Sequence, residues 1–461
     1  MDVIEQLRTT LPAGTVVTDP AVLQACRADR SGHVSPGTPL ALVEATSIQD
    51  VQAVCRIATA TGTPVVSRGA GTGLAGGAIA GDGEIVLSTL AMTGILEVSV
   101  ANRLAVVQPG IFNGELNRAL AEHRMWWAPD PASKDISTVG GNIAMNAGGL
   151  LCAKYGVTRE AVLALKIVLA DGRLISVGHR TVKGVTGYDL CALMIGSEGT
   201  LGIIVEATLK LRPLVAGTVS TMAAYVDHVD VGASLAAKIG AAGLQPAMME
   251  LLDRRSLLCL GKHIGQELTR RGNAYLLIQC DGPAAGEEAA AIMEIIHAAG
   301  ARAESTTDEA TAQAWVEVRR QVLPSLEAAG TLLVEDVSVP RDAMAAMFAK
   351  ITELEEKYGL IIPTTAHAGD GNLHPSFVFQ GAEVPEAVWD AAGELFGHAL
   401  ELGGTLTGEH GIGVLKKRWL GVELGDTQLM LQRQIKAVFD PHGILNPGKV
   451  LDPLGAGAAA A

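Results

Sequence analysis

At 461 residues the chain is longer than a single hydrophobic core supports, and 48% hydrophobic against 18% charged residues marks a folded protein of two or three domains. Its net charge of −14, with no compensating basic block, argues against nucleic acid and anionic lipid as partners. The six cysteines (Cys26, Cys55, Cys152, Cys191, Cys259, Cys280) never form C-x-x-C, which argues against a zinc ribbon, an iron–sulfur cluster or a disulfide framework and predicts reduced thiols in a cytoplasmic protein.

The opening MDVIEQLRTTLPAG lacks a basic region followed by an apolar one, and no window of the chain reaches the length of a membrane span, so a soluble, non-exported protein is expected. Residues 1–30 read as an amphipathic helix, a loop and a short helix near 21–28. A strand at 41–44 precedes a helix N-capped by Ser47, running to Thr61 and closed by Gly62. After a glycine-rich stretch come strands at 84–88, 95–100 and 104–107, and Pro109-Gly110 leads into a helix at 112–123. Residues 130–149, DPASKDISTVGGNIAMNAGG, combine hydroxyls with paired glycines that can lay amides along a long ligand. Strands at 162–169 and 174–177 are joined by Asp171-Gly172, a two-residue hairpin turn. GSEGTLG at 196–202 is a third glycine-rich turn, followed by a strand at 203–211. Beyond Pro213 the pattern changes. Strand-like runs at 219–226, 274–280 and 330–339 alternate with Ala-rich helices at 231–242, 286–299 and 341–358, which predicts a separate α+β domain. The tail at 455–461 is of low complexity and expected to be disordered.

The glycine-rich stretch, residues 64–80 (PVVSRGAGTGLAGGAIA), holds five glycines after a short β-branched run. So many absent side chains imply positive φ or close approach of backbone to a flat or anionic group, and its amides suit a phosphate. A flexible surface loop is the plain alternative. Gly71, Gly73 and Gly76 match G-x-G-x-x-G, with Glu97 about 20 residues on, but a new strand near Glu84 leaves no room for the crossover helix of a dinucleotide-binding βαβ unit. The reading is a pyrophosphate cradle between two strands, of a different kind.

Two further stretches carry chemistry. In HAGDGNLH, His367 and His374 flank Gly369 and Gly371, which disfavour a helix, so both rings are expected to converge from a turn. GEHG at 408–411 places Glu409 beside His410, on opposite sides of an extended segment. Two histidines and one carboxylate suit a divalent metal with open positions; hydrogen-bonded structural histidines are the alternative. Arg319 and Arg320 offer forks for a carboxylate, or are solvated helix-surface charges.

PVVSRGAGTGLAGGA, DISTVGGNIAMNAGG and GSEGTLGIIVEATLKL, in this order and spacing, resemble the flavin-binding domain of the vanillyl-alcohol oxidase and p-cresol methylhydroxylase superfamily. Within it the chain is similar, over residues 38–450, to the branch of the glycolate oxidase flavoprotein subunit, D-lactate dehydrogenase and D-2-hydroxyglutarate dehydrogenase. The resemblance implies an α+β protein. A helical segment at 1–37 precedes a two-subdomain PCMH-type FAD-binding domain at 38–215. A ferredoxin-like α+β cap at 216–404 covers the flavin's reactive face, and a C-terminal segment at 405–461 returns through FDPHGILNPGK to the flavin domain.

The resemblance further implies FAD, with Arg68, Gly69, Ala70, Gly71, Thr72, Gly73, Leu74, Gly76 and Gly77 on the pyrophosphate. Pro109, Asp130, Ser137, Thr138, Gly140, Gly141, Asn142, Ala147 and Gly148, together with Glu198, Gly199, Gly202, Ile203 and Ile204, run along the isoalloxazine and adenine halves, and Asn446 joins from the returning segment. No His or Cys occurs in residues 64–80, so the flavin is expected to be non-covalent. His367, His374 and Glu409 match positions that bind a zinc-like ion, with manganese and iron as alternatives; His410 is the candidate general base for hydride transfer to flavin N5, and Arg319 the carboxylate clamp.

Where D-2-hydroxyglutarate dehydrogenase holds its second carboxylate with Thr, Lys and Asn, the aligned residues here are Leu323, Val334 and Ser376. A short monocarboxylate such as glycolate or D-lactate is therefore expected. Electrons are expected to leave to a partner protein such as an iron–sulfur subunit, a quinone, a cytochrome or dioxygen. Peripheral membrane association and a homodimer are left as alternatives. The rival readings are a non-redox flavin enzyme of the alkyl-glycerone-phosphate synthase kind and a metal-dependent hydrolase.

Overall fold

β-Branched runs separated by capped or glycine-rich segments build the first sheet. The computed structural model describes residues 2–452, and the tail at 455–461 lies outside them. The chain divides into two compact units, one of residues 1–147, 157–214 and 409–461, the other of 148–156 and 215–408.

In the first unit Ala41–Glu44, Ile85–Ser88 and Val65–Arg68 lie side by side and parallel, with Val16–Val17 antiparallel at the edge. Ser47 and Asp50 form a reciprocal capping box at the start of Ile48–Thr61, and Gly62 ends that helix at φ 65°. Parallel neighbours usually need a crossover helix; between Val65–Arg68 and Ile85–Ser88 the glycine-rich segment is itself the crossover. A second, antiparallel sheet runs Ile95–Ser99, Leu104–Val107, Ile203–Lys210, Val162–Val168, Leu174–Gly178. Its last connection is a three-residue loop and not the two-residue turn read from Asp171-Gly172. Leu169 N–H bonds Arg173 O at 2.9 Å and Gly172 takes φ 82°, the left-handed position that such a loop needs.

Leu7 and Leu11 share a core with Val54, Ile85 and Val205, so the N-terminal stretch is part of this unit rather than a separate one. Ile444 and Leu445 enter the same core. Val65 N–H donates to Ile444 O at 2.7 Å and Asn446 N–H to Val65 O at 2.8 Å, which lays the returning segment along Val65–Arg68.

The second unit is built on one antiparallel sheet in the order Arg302–Thr306, Ser220–Val226, Ala274–Cys280, Met248–Leu252, Thr364–His367, Asn372–Phe379, Thr331–Val334. Its first four strands, with Val229–Ala241 and Ala285–Ala298, have ferredoxin-like connectivity, with Arg254–Ile264 added. The strand expected over 330–339 breaks at Glu335-Asp336, two buried acids, and resumes as Val337–Ser338. Residues 148–156 belong to this unit because Leu150 and Leu151 pack on its core and Lys154 Nζ and Tyr155 Oη each bond the Asp281 carboxylate at 2.5 Å. All six cysteines are free thiols, and burial pushes Cys55, Cys191 and Cys280 up to about 12, which leaves them inert. No helix among the described residues is long and apolar enough to cross a membrane.

Candidate functional site

In the first unit the three glycine-rich segments converge. A side-chain carbon added at Gly69 would sit 2.4 Å from Thr138 Oγ1, one at Gly199 would sit 2.3 Å from Ser67 Oγ, and one at Gly77 would touch Glu198 Oε2 at 3.5 Å. At Gly69 and Gly199 glycine is required by close approach. Asn446 stitches the same point together: its Oδ1 accepts from Ser67 N–H at 3.0 Å and its Nδ2 donates to Glu198 O at 2.6 Å.

Within the glycine loop two of the oxygens are firmly committed and the amides are not. Ala75 O accepts from Val414 N–H at 2.9 Å, and Ala78 O accepts from Arg68 Nη1 at 2.7 Å. No N–H from Ala70 to Ala78 has an acceptor among the described residues. Such a row of available amides is what a diphosphate needs. Arg68 spends its guanidinium on the loop, reaching Ala78 O and Ala28 O, so its side chain shapes the cradle. Thr138 Oγ1 caps Val139–Met145 by accepting from Gly141 N–H, and Gly140 N–H donates to Pro109 O at 2.8 Å. Between them Ser137 Oγ and Asn142 Nδ2 are buried without a hydrogen-bond partner. Buried polar atoms in folded proteins usually carry a hydrogen-bond partner, so this pair fits the heteroatoms of a flavin nucleotide. Asp130 and Ile204 are half-buried and Ile203 buried, and Gly202 passes 2.4 Å, measured from its added carbon, from Ile167.

In the second unit His367 ends Thr364–His367 and His374 lies on Asn372–Phe379. The two strands pair with His367 opposite Asn372 and Thr365 opposite His374, so both rings stand on one face, 4.9 Å between centroids and edge to face. The turn of Gly369 and Gly371 joins the strands; the rings come from the strands and not from the turn. One donor atom each from His367, His374 and Glu409, the residue directly after the last of this unit, lie within 4.8 Å of one another. Chain continuity carries Glu409 there. Thr405 bridges Ser338, Thr407 Oγ1 donates to Asp336 at 2.8 Å, and Gly408 N–H donates to Asp336 at 2.7 Å.

Behind His367 stands Glu250, fully buried, on the neighbouring strand Met248–Leu252. Its Oε1 accepts from His367 Nδ1 at 2.6 Å and its Oε2 from Arg319 Nε at 2.7 Å. Burial alone would raise this carboxyl, but the charges of His367 and Arg319 and their hydrogen bonds outweigh it and hold it below the ordinary range. With Nδ1 so bonded, Nε2 of His367 is the ring atom that could ligate a metal, the carboxylate–histidine support of many metal sites. Arg319 therefore has Nε engaged and its two Nη groups left for a carboxylate, while Arg320 is exposed. Val334 and Ser376 are direct cross-strand partners, two residues along from His374 on its face.

Glu250 and Asp336 lie outside the recognisable motifs. Both carried a signal in the sequence: an acid inside an apolar strand run, MMELL or TLLVEDVSV, must find partners when buried.

A family described as FAD binding domain matches residues 39–178, and one described as FAD linked oxidases, C-terminal domain, matches residues 217–450. The chain is 39% identical over 420 residues to glycolate oxidase subunit GlcD of Bacillus subtilis, spanning 89% of each chain. It is 37% identical over 415 residues to D-lactate dehydrogenase of Archaeoglobus fulgidus, spanning 90% of this chain and 91% of that one. Among solved structures, 4-ethylphenol oxidase from Gulosibacter chungangensis superposes with a TM-score of 0.78 at 20% identity, covering 98% of this chain and 97% of its own. That likeness concerns the fold, whereas the sequence identities concern kinship: the chain belongs to the FAD-linked oxidases, as an oxidoreductase of the glycolate oxidase and D-lactate dehydrogenase type.

Proposed function

We propose that this chain oxidises a short 2-hydroxy monocarboxylate, glycolate or D-lactate, to the 2-oxo acid. The observation that carries the reading is the His367, His374 and Glu409 cluster, with Glu250 bound to both His367 and Arg319. FAD, when bound, supplies the two-electron acceptor for the hydride that leaves C2 of the substrate. His367, His374 and Glu409 would hold a divalent ion, which would supply a Lewis acid for the substrate hydroxyl.

The remaining work falls to side chains. Arg319 receives the substrate carboxylate on its Nη groups, oriented by the Glu250 bond at Nε. His410, neutral, takes the hydroxyl proton at Nε2, its Nδ1 being buried. A base so placed contributes roughly 10²- to 10⁴-fold. Val334 and Ser376, facing each other beside His374, offer no cation for a second carboxylate, which supports the short substrate. Electrons then pass to an outside acceptor, either a protein, a quinone or dioxygen.

Anaerobic mixing of the yellow holoprotein with candidate acids tests this. Bleaching by glycolate or D-lactate, with D-2-hydroxyglutarate far slower, is expected. No bleaching by any 2-hydroxy acid overturns the reaction, and equal bleaching by D-2-hydroxyglutarate overturns the substrate.

A further inference from the structure

Glu198 is a buried carboxylate at φ 53° in the turn at 196–202, and both of its oxygens are used. Oε1 accepts from Ile412 N–H and Oε2 from Gly413 N–H, each at 2.8 Å. Those amides lie two and three residues after His410. The contact admits no side chain: a carbon added at Gly411 would sit 2.9 Å from Oε1, and one at Gly413 would sit 1.9 Å from Ala75 O. On the other side Val414 N–H is held by Ala75 O, and Glu198 itself is pinned through its N–H to Ala144 O and its carbonyl to Asn446. The backbone immediately after His410 is thus clamped between a carboxylate and the glycine loop, all within the first unit.

We propose that Glu198 is a positioning residue for His410: by binding the amides of Ile412 and Gly413 it fixes the backbone that aims the imidazole. The inference rests on His410 being the general base. A carboxylate accepts at both oxygens, whereas an amide of the same shape presents a donor to one of the two N–H groups, so Glu198→Gln keeps volume and breaks the clamp. Burial raises the Glu198 carboxyl to about 7, against the two amide bonds and the charge of Lys416, the charged group acting on it.

The test uses FAD-loaded protein and two readouts. Glu198→Gln is expected to reduce its flavin about 10- to 100-fold more slowly per bound flavin, the cost of a small misplacement of a reacting group. KM is expected to change less than about twofold, because ground-state binding is untouched. Deuterium exchange of the peptide spanning residues 411–414 is expected to speed up in the variant. Wild-type reduction by Glu198→Gln, or unchanged exchange of that peptide in the variant, overturns the proposal. If His410→Ala reduces flavin normally, the functional reading itself has failed; if His410→Ala is slow and Glu198→Gln is not, only the positioning role has.

Discussion

Glu250 and His367 face each other on paired strands with Oε1 and Nδ1 at 2.6 Å, and the other oxygen of the same carboxylate holds Arg319 at 2.7 Å. One buried acid therefore orients both a candidate metal ligand and the candidate substrate clamp. A charge so deep in the sheet is tolerable only because both partners are present.

Glu250→Gln is expected to weaken metal binding about 10- to 100-fold, because Nδ1 loses its ionised acceptor. Chelator competition measures it, with bound flavin as the control. Glu250→Ala leaves His367 and Arg319 without their acid and is expected to destabilise the protein by about 3–5 kcal/mol. Unchanged metal affinity in Glu250→Gln removes Glu250 from the site.

His410→Ala is expected to retain FAD and to lose flavin reduction by roughly 10²- to 10⁴-fold, read by stopped-flow absorbance. His374→Ala, or removal of the metal, is expected to spare the flavin spectrum while slowing the same step. Full activity of metal-free protein ends the metal proposal.

Val334→Lys places a cation opposite Ser376 on the face of His374. It is expected to raise kcat/KM for D-2-hydroxyglutarate relative to D-lactate by about 10- to 100-fold, the worth of one charged hydrogen bond. An unchanged ratio in steady-state assays shows that this strand pair does not meet the distal end of the substrate.

Burial raises the carboxyls of Glu198 and Asp253 to about 7 from ordinary values of 4.5 and 3.8. Between about pH 4 and pH 7 the folded chain holds these protons and the unfolded chain releases them, so their contribution to stability falls as pH rises through that window. At Asp253, which caps Arg254–Ile264 through Ser256 N–H, the effect is on the order of 4 kcal/mol. Asp253→Asn is expected to flatten the decline of thermal midpoint with pH. Parallel curves for variant and wild type refute the assignment.

Much of the local structure is legible in the chain because short-range chemistry decides it. Ser47 with Asp50 and Gly62 mark both ends of one helix, and the strands at 41–44, 104–107 and 274–280 coincide with β-branched or apolar runs. His367, His374 and Glu409 are visible as residue types at suggestive places. Their meeting is not, because it depends on register: had the hairpin slipped by one residue, His374 would face the opposite side of the sheet from His367. The fully buried run Met248–Leu252 carries no such mark, since a stretch buried on both faces has no alternation to show.

By itself, the sequence determined the glycine-rich cradle, the absence of a crossover helix, the donors available for a metal and the kinship that follows from them. Only the tertiary structure decided that Glu250 binds His367 and Arg319 together, that Asp336 and Glu198 grip the two ends of the loop bearing Glu409 and His410, and that Val334 faces Ser376 beside His374. The reason is physical: a buried carboxylate must find its donors wherever the fold brings them, here 69, 117 and 214 residues away along the chain, and no local pattern records that pairing.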